Sequence, residues 1–199
     1  MILFFKEDFM SEILFINACV RENSRTLELA RHVLDKLGGE AEEVDLYETP
    51  LSSLDAEGMQ ARDAACAARD FSDKRFDLAK QFAAAKTIVI AAPYWDLMFP
   101  SVLKTYFEAV TVNGLVFTYG EKGIPTGLCR AERLIYVTTS GGPIVKNFGY
   151  DYVCALAQSF YGIKDVACIR AEGMDICGAN AEAILQKAKD SVALICACK

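Results

Sequence analysis

The sequence predicts a doubly wound α/β domain, a five-stranded parallel sheet in the order 2-1-3-4-5 with helices on both faces. Three observations carry this expectation. Short β-branched apolar runs alternate five times with segments of helical period, and neither repeats nor linkers interrupt them. The central run Ile88–Ala92 is apolar throughout, as a parallel strand covered on both faces must be. Right-handed crossovers then favour that strand order over its alternatives.

Taken in order, the first strand is Glu12–Ala18. From Ser24 the period turns helical, with Leu27, Ala30, Val33, Leu34 and Leu37 on one face and Gly38-Gly39 ending the helix. Ala41–Tyr47 is a weaker strand, made polar on one side by Glu42, Glu43 and Asp45, and so belongs at or near a sheet edge. Glu48–Phe71 reads as loop followed by helix, and Asp73–Ala85 is a helix leading into the central strand. Pro93 stops that strand. A loop with Tyr94, Trp95 and Asp96 follows, and Pro100 suits the first turn of a helix over Pro100–Val112, where its missing N–H is no loss. Asn113–Leu128 carries Gly114, Gly120, Gly123, Pro125 and Gly127 and is expected to form no regular element. Arg133–Thr139 is a strand closed by Ser140-Gly141-Gly142-Pro143. A loop with Lys146 and Asn147 leads into a helix over Tyr150–Tyr161. Lys164–Glu172 is the last strand and Ala179–Ile195 the final amphipathic helix.

Composition narrows the function. With 199 residues, 53% of them hydrophobic, the chain can bury one sizeable core, and residues 11–199 are read as a single domain. Residues 1–10 are set apart as an N-terminal extension, with Met10 the expected natural start. A net charge of −6 and no basic stripe exclude a nucleic-acid partner. No apolar run approaches the roughly 18–20 residues a membrane span needs. The eight cysteines include no C-x-x-C pair and a single histidine, His32, is available to join them, so no metal site is expected. Cys154 and Cys168 read as small core residues and Cys196 and Cys198 as a frayed tail. A reduced, cytoplasmic setting fits this usage.

The chemistry is expected where three loops leave the carboxyl ends of the first, third and fourth strands, the edge at which open α/β sheets bind ligands. The first, Asn17–Thr26, offers the hydroxyls of Ser24 and Thr26, the cations Arg21 and Arg25, and a helix start with unpaired N–H groups. That set suits a phosphomonoester, although an ordinary capped helix with two surface arginines would use the same residues. The second loop, Pro93–Phe99, sets aromatic side chains beside free backbone amides. The third, Thr138–Pro143, combines hydroxyls with glycines that allow close approach. Together they favour flavin mononucleotide (FMN), its phosphate at the first loop and its ring between the other two.

These residues also carry a resemblance. From about Ser11 to Ile195 the chain resembles the flavodoxin-fold FMN-dependent NADH-azoreductases and NAD(P)H:quinone oxidoreductases. Its most specific parts are A-A-P-x-x-x-x-x-x-P-S-x-L-K-x-Y-F from Ala91 to Phe107 and Gly114-x-x-Phe117-x-Tyr119, with Gly127-Leu128 and Thr139–Gly142 beside them. The resemblance implies a flavodoxin-like domain, a cytoplasmic homodimer, non-covalent FMN, NADH or NADPH as reductant, and quinones or azo dyes as acceptors in a ping-pong hydride transfer. No residue is then catalytic in its own right, because the flavin carries the chemistry, and His32 has no role in it. The implied cofactor contacts are Ser24, Arg25 and Thr26 at the phosphate, Pro93, Tyr94, Trp95, Asp96 and Leu97 at the flavin edge, and Thr139, Ser140, Gly141 and Gly142 at the ring. Phe117, Tyr119, Phe160 and Tyr161 are expected to line the substrate pocket. Cys19 stands where the family usually has a phosphate-contacting serine, with Arg21 in compensation, Asp96 replaces an asparagine, and Ile124 is a one-residue insertion. Two other readings compete, a flavodoxin-type carrier of single electrons and a ligand sensor without turnover. The dimer is expected to form through the helix starting at Pro100 and the Asn113–Leu128 segment, on account of Phe99, Val102, Phe107, Val110, Leu115, Val116 and Phe117.

Overall fold

A computed structural model describes residues 12–197, and the side chains of residues 194–197 are left aside. The expected extension over residues 1–10, the start at Met10 and the cysteine tail lie outside the described residues or side chains. The strands are β1 Ile13–Asn17, β2 Ala41–Asp45, β3 Thr87–Ala91, β4 Phe117–Tyr119, β5 Pro125–Gly127, β6 Arg133–Thr139 and β7 Asp165–Ala171. The helices are α1 Arg25–Leu37, α2 Ala56–Ala68, α3 Asp77–Ala84, α4 Ser101–Val110, α5 Phe148–Leu156 and α6 Ala181–Ala197.

The main sheet runs β2-β1-β3-β6-β7, all parallel, which is the expected order. Its register sets Ile16 beside both Val44 and Ile90, and Thr139 beside Ala171. Because strand side chains alternate faces, each buried run feeds two cores. Leu14, Ile16, Ile88, Ile90 and Tyr136 pack with Phe82, Leu103, Tyr106 and Val153 on one side. Phe15, Val89, Ala91, Ile135 and Val137 pack with Leu29, Val33 and Val192 on the other. β2 buries a single residue, Val44, and lies at the edge, as its glutamates required. Among the described residues no helix is long and apolar enough to cross a membrane.

Several elements correct the sequence reading. Asn113–Leu128 is not irregular throughout: Phe117–Tyr119 and Pro125–Gly127 pair antiparallel as a small hairpin. Its glycines serve the turn, where Gly123 takes φ 70°, and a close approach at Gly127, where a Cβ would collide with the Tyr161–Gly162 backbone. α5 starts before Tyr150 because Asn147 caps it, its Oδ1 accepting from the Tyr150 N–H at 3.0 Å, and the chain ends this helix in a π turn over Ala157–Tyr161. A 3₁₀ turn over Lys74–Phe76 precedes α3. Cys154 and Cys168 are half-buried at the margin of the core rather than within it. The apolar residues expected to make a dimer face are mostly this chain's own core: Phe99, Phe107, Val110, Val116 and Phe117 are buried. The apolar content around Pro100 therefore reports burial under the sheet, not a free face.

Candidate functional site

The loops after β1, β3 and β6 converge at the carboxyl edge and enclose a cleft of about 380 Å³, within the usual range for small-ligand sites. The first loop is fixed by Asn17, a buried residue that sequence reasoning did not single out. Its Oδ1 accepts from the Cys19 N–H at 3.0 Å, and its Nδ2 donates to Glu43 Oε1 at 3.0 Å and to Asp45 Oδ2 at 3.3 Å. The chain then turns into α1, where Ser24 is the N-cap and its Oγ accepts from the Leu27 N–H at 3.2 Å. The Glu28 N–H is taken by the Ser24 carbonyl, so of the four N–H groups that open the helix those of Arg25 and Thr26 have no intrahelical acceptor. Ser24, Arg21, Asn23 and Arg25 line this end of the cleft.

Thr26 and Thr139 face each other, their hydroxyls 2.7 Å apart, and stitch the first loop to the third. The second loop joins through the Tyr94 N–H, which donates to the Thr139 carbonyl at 3.0 Å. Beyond Tyr94 the chain reverses in two residues. Trp95 and Met98 exchange backbone bonds at 3.0 and 2.8 Å, while Asp96 and Leu97 take φ of 49° and 68°. Two central residues with positive φ define a type I′ turn, in which a leucine is unusual and strained. The Tyr94 hydroxyl donates to the Lys146 carbonyl at 2.7 Å and the Phe148 N–H to the Leu97 carbonyl at 3.1 Å, so the loop before α5 braces this turn.

Of the expected cofactor contacts, Arg21, Ser24, Arg25, Thr26, Pro93, Tyr94, Trp95, Thr139, Ser140 and Gly141 line the cleft together. Cys19, Asp96, Leu97 and Gly142 do not. Cys19 is turned inward, its thiol 3.8 Å from the Ala91 carbonyl, and burial pushes that thiol up to about 11 while a Ser24 hydrogen bond partly offsets the rise. Asp96 and Leu97 form the exposed tip of the turn, and Gly142 is exposed beside the cleft. The residues expected in a substrate pocket are also elsewhere. Phe117 sits between Tyr119 and Phe160, with ring centroids 5.2 and 5.0 Å away, on the hairpin side. Tyr161 is core, its ring on Phe82 and its hydroxyl 2.7 Å from that of Thr111. Its ring therefore packs in the core of this chain, away from the cleft between the loops.

A fourth loop was missed. Glu172–Ile176 follows β7 and is laced to the third loop, the Gly173, Met174 and Asp175 N–H groups donating to the carbonyls of Gly142, Ser140 and Gly141 at 3.1, 3.3 and 2.9 Å. It brings Met174 and Asp175 into the cleft, where Asp175 Oδ1 meets Arg25 Nη1 at 2.8 Å. The signal was available, because β7 neighbours β6 in the expected order and its following loop must leave at the same edge.

With this geometry in hand, comparison with known proteins gives a consistent result. A family model described as flavodoxin-like fold matches residues 11–194. The FMN-dependent NADH:quinone oxidoreductase of Lachnoclostridium phytofermentans is 30% identical over 94% of this chain and 98% of its own length. The crystal structure of azoreductase from Bacillus anthracis has a TM-score of 0.77 at 22% identity, over 92% of this chain and 97% of that one. The structure of an FMN-dependent NADH-azoreductase from the same organism in complex with FMN has a TM-score of 0.74 at 22% identity, over 92% and 96%.

Proposed function

The chain belongs to the flavodoxin-like fold family, and from that premise we propose that it is an FMN-dependent NADH dehydrogenase that reduces quinones and azo compounds. The names of its relatives support this reading, and the cleft carries it. One end holds what a near-dianionic phosphate needs: two guanidinium groups at Arg21 and Arg25, the Ser24 hydroxyl, and the Arg25 and Thr26 N–H groups at the positive end of α1. The other end holds what a flat ring needs, the aromatic residues Tyr94 and Trp95 beside Pro93, with Ser140 and Gly141 of the third loop lining the same cleft. The donor set therefore fits FMN.

Bound FMN would accept a hydride from NADH and hand its electrons to the acceptor. The protein's part is to bind and orient. Arg21 and Arg25 neutralise the phosphate, Thr26 and Thr139 hold two of the walls at fixed separation through their hydroxyl bond, and the braced Tyr94–Met98 turn supplies a stacking surface at the ring end. In this reading Asp96, Leu97 and Gly142 contact the flavin only at its outer rim, and Cys19 supports the loop from behind.

We further infer a cytoplasmic homodimer. Among the exposed apolar residues, Leu97 and Phe148 lie beside the cleft and Tyr119, Ile124 and Leu128 on or next to the hairpin. A second copy covering them would place its aromatic hairpin near the ring and give Phe117, Tyr119 and Phe160 a share in the substrate pocket. Sedimentation equilibrium tests this part, and a 21.9 kDa species at micromolar concentration would remove it.

The central test is the absorption spectrum of protein loaded with FMN, followed by anaerobic NADH titration and NADH oxidation with menadione. Flavin bands that bleach with NADH and recover with the quinone are expected. Protein that retains no FMN would overturn the reading, and a flavoprotein that NADH does not reduce would leave the electron carrier in its place.

A further inference from the structure

The cleft described above holds one carboxylate among its cations. Asp175 Oδ1 accepts from Arg25 Nη1 at 2.8 Å, joining residues 150 positions apart. The carboxylate is exposed but its place is fixed. Its backbone N–H is fixed to the Gly141 carbonyl at 2.9 Å, and a Cβ on Gly141 would collide with its Oδ2, so the group lies directly over the third loop. Asp175 thus stands between the ring-binding glycines and the guanidinium assigned to the phosphate.

Resting on the FMN reading, we propose that Asp175 is a built-in competitor: it occupies Arg25 until the FMN phosphate displaces it, and thereby sets how tightly the protein holds its cofactor. Both side chains are well exposed, Arg25 at 44% and Asp175 at 67%, and an ion pair at that exposure is weak and readily exchanged. A phosphate on Arg25 makes stronger, charge-assisted bonds, and it also draws on the helix start, which a single carboxylate on the opposite loop does not. The alternative, that Asp175 stays on Arg25 and aims it, would hold a carboxylate against a dianion, and like charges at that range oppose each other.

The arrangement gives Arg25 a partner when the cofactor is absent and makes cofactor retention depend on the charge of the fourth loop. Ligands lacking the phosphate leave the Arg25–Asp175 pair intact, so the effect discriminates by phosphate. It therefore narrows the margin by which the monoester is bound over the flavin that lacks a phosphate, and keeps the bound cofactor exchangeable.

The test is the Asp175→Asn variant, with FMN and riboflavin dissociation constants measured by flavin fluorescence. The expected result is FMN binding tightened by about two- to fivefold with riboflavin binding unchanged. In an Arg25→Ala background most of that gain should vanish, which a double-mutant cycle reads directly. Weaker FMN binding in Asp175→Asn would make Asp175 a positioning residue for Arg25 and overturn the proposal. Unchanged FMN binding, or equal shifts for FMN and riboflavin, would overturn it too. Wild-type protein that binds neither flavin would instead remove the FMN reading, so the two failures are distinguishable.

Discussion

Between Asn17 and Thr26 the backbone is held by side chains: the Asn17 amide grips Cys19, Glu43 and Asp45, and Ser24 caps the helix that follows. Between Pro93 and Phe99 the backbone closes largely on itself, through the Trp95–Met98 pair, around a left-handed Asp96-Leu97 in which the leucine is strained. The first loop offers charge and donors in fixed positions, and the second offers flat surfaces. A ligand spanning both must carry an anion at one end and a ring at the other. Polar recognition tolerates little displacement, which is why the first loop is clamped by buried groups. Stacking tolerates more, and it is assigned to the loop whose tip is exposed.

The comparison breaks most readily at the charged end. The double change Arg21→Ala plus Arg25→Ala should weaken FMN about ten- to a hundredfold, since losing one charge-assisted clamp on the phosphate costs roughly 1.5–3 kcal/mol. Riboflavin titrated in parallel should respond little. Equal losses for both ligands would mean that the arginines shape the loop rather than hold the phosphate.

A second perturbation separates clamp from ligand. Asn17→Ala strips the Cys19 N–H of its acceptor and removes the donor shared by Glu43 and Asp45. Leaving such groups unpaired costs about 2 kcal/mol, or roughly 4–8 °C in the melting temperature of a chain this size. Calorimetry without flavin reads the effect, and an unchanged transition would show that the first loop is held by its helix cap alone.

The ring-side loop should respond in the opposite direction. Leu97→Gly puts the residue preferred in a type I′ turn where a leucine now sits at φ 68°. Relief of about 1 kcal/mol is expected, partly offset by the freer unfolded chain, for a melting temperature raised by roughly 2 °C. A fall would mean that the exposed leucine side chain makes contacts worth more than its strain.

The same contrast explains what the sequence disclosed. Capping is local, so Ser24 and the start of α1 could be read directly, and the buried runs at Ile88–Ala92 and Arg133–Thr139 dictated the sheet order through general handedness rules. Backbone shape inside a loop is not local in that sense. Nothing in Tyr94–Leu97 signals a left-handed pair, and no periodicity marks Asn17 as a clamp, because its partners come from the neighbouring strand β2. The surroundings of Tyr161 were illegible for a related reason: the likeness to the family set it by a substrate pocket, and no local pattern shows that Gly127 lies against the Tyr161–Gly162 backbone or that the ring packs on Phe82.

The smallest expected effect concerns Cys19, on which the likeness to the family and the structure disagree. If the thiol stood in for a phosphate-contacting hydroxyl, Cys19→Ser would tighten FMN. In the structure the thiol turns from the cleft toward the Ala91 carbonyl, and a serine there keeps an acceptor for its hydroxyl. FMN affinity should then stay within about twofold, or roughly 0.4 kcal/mol, of the parent. Alkali supplies an independent check. Burial raises the Cys19 thiol from 9.0 to about 11, so the unfolded chain ionises first. The stability tied to the neutral thiol is therefore complete below about pH 9 and is lost as pH rises toward 11. Cys129 and Cys168, pushed up to about 12 by burial, lose stability in the same direction and remain in both proteins. Denaturant unfolding of the parent and Cys19→Ser should thus show the variant gaining on the parent above about pH 9, with their difference constant below it. A difference that stays flat through that range, together with tighter FMN, would return Cys19 to the cleft.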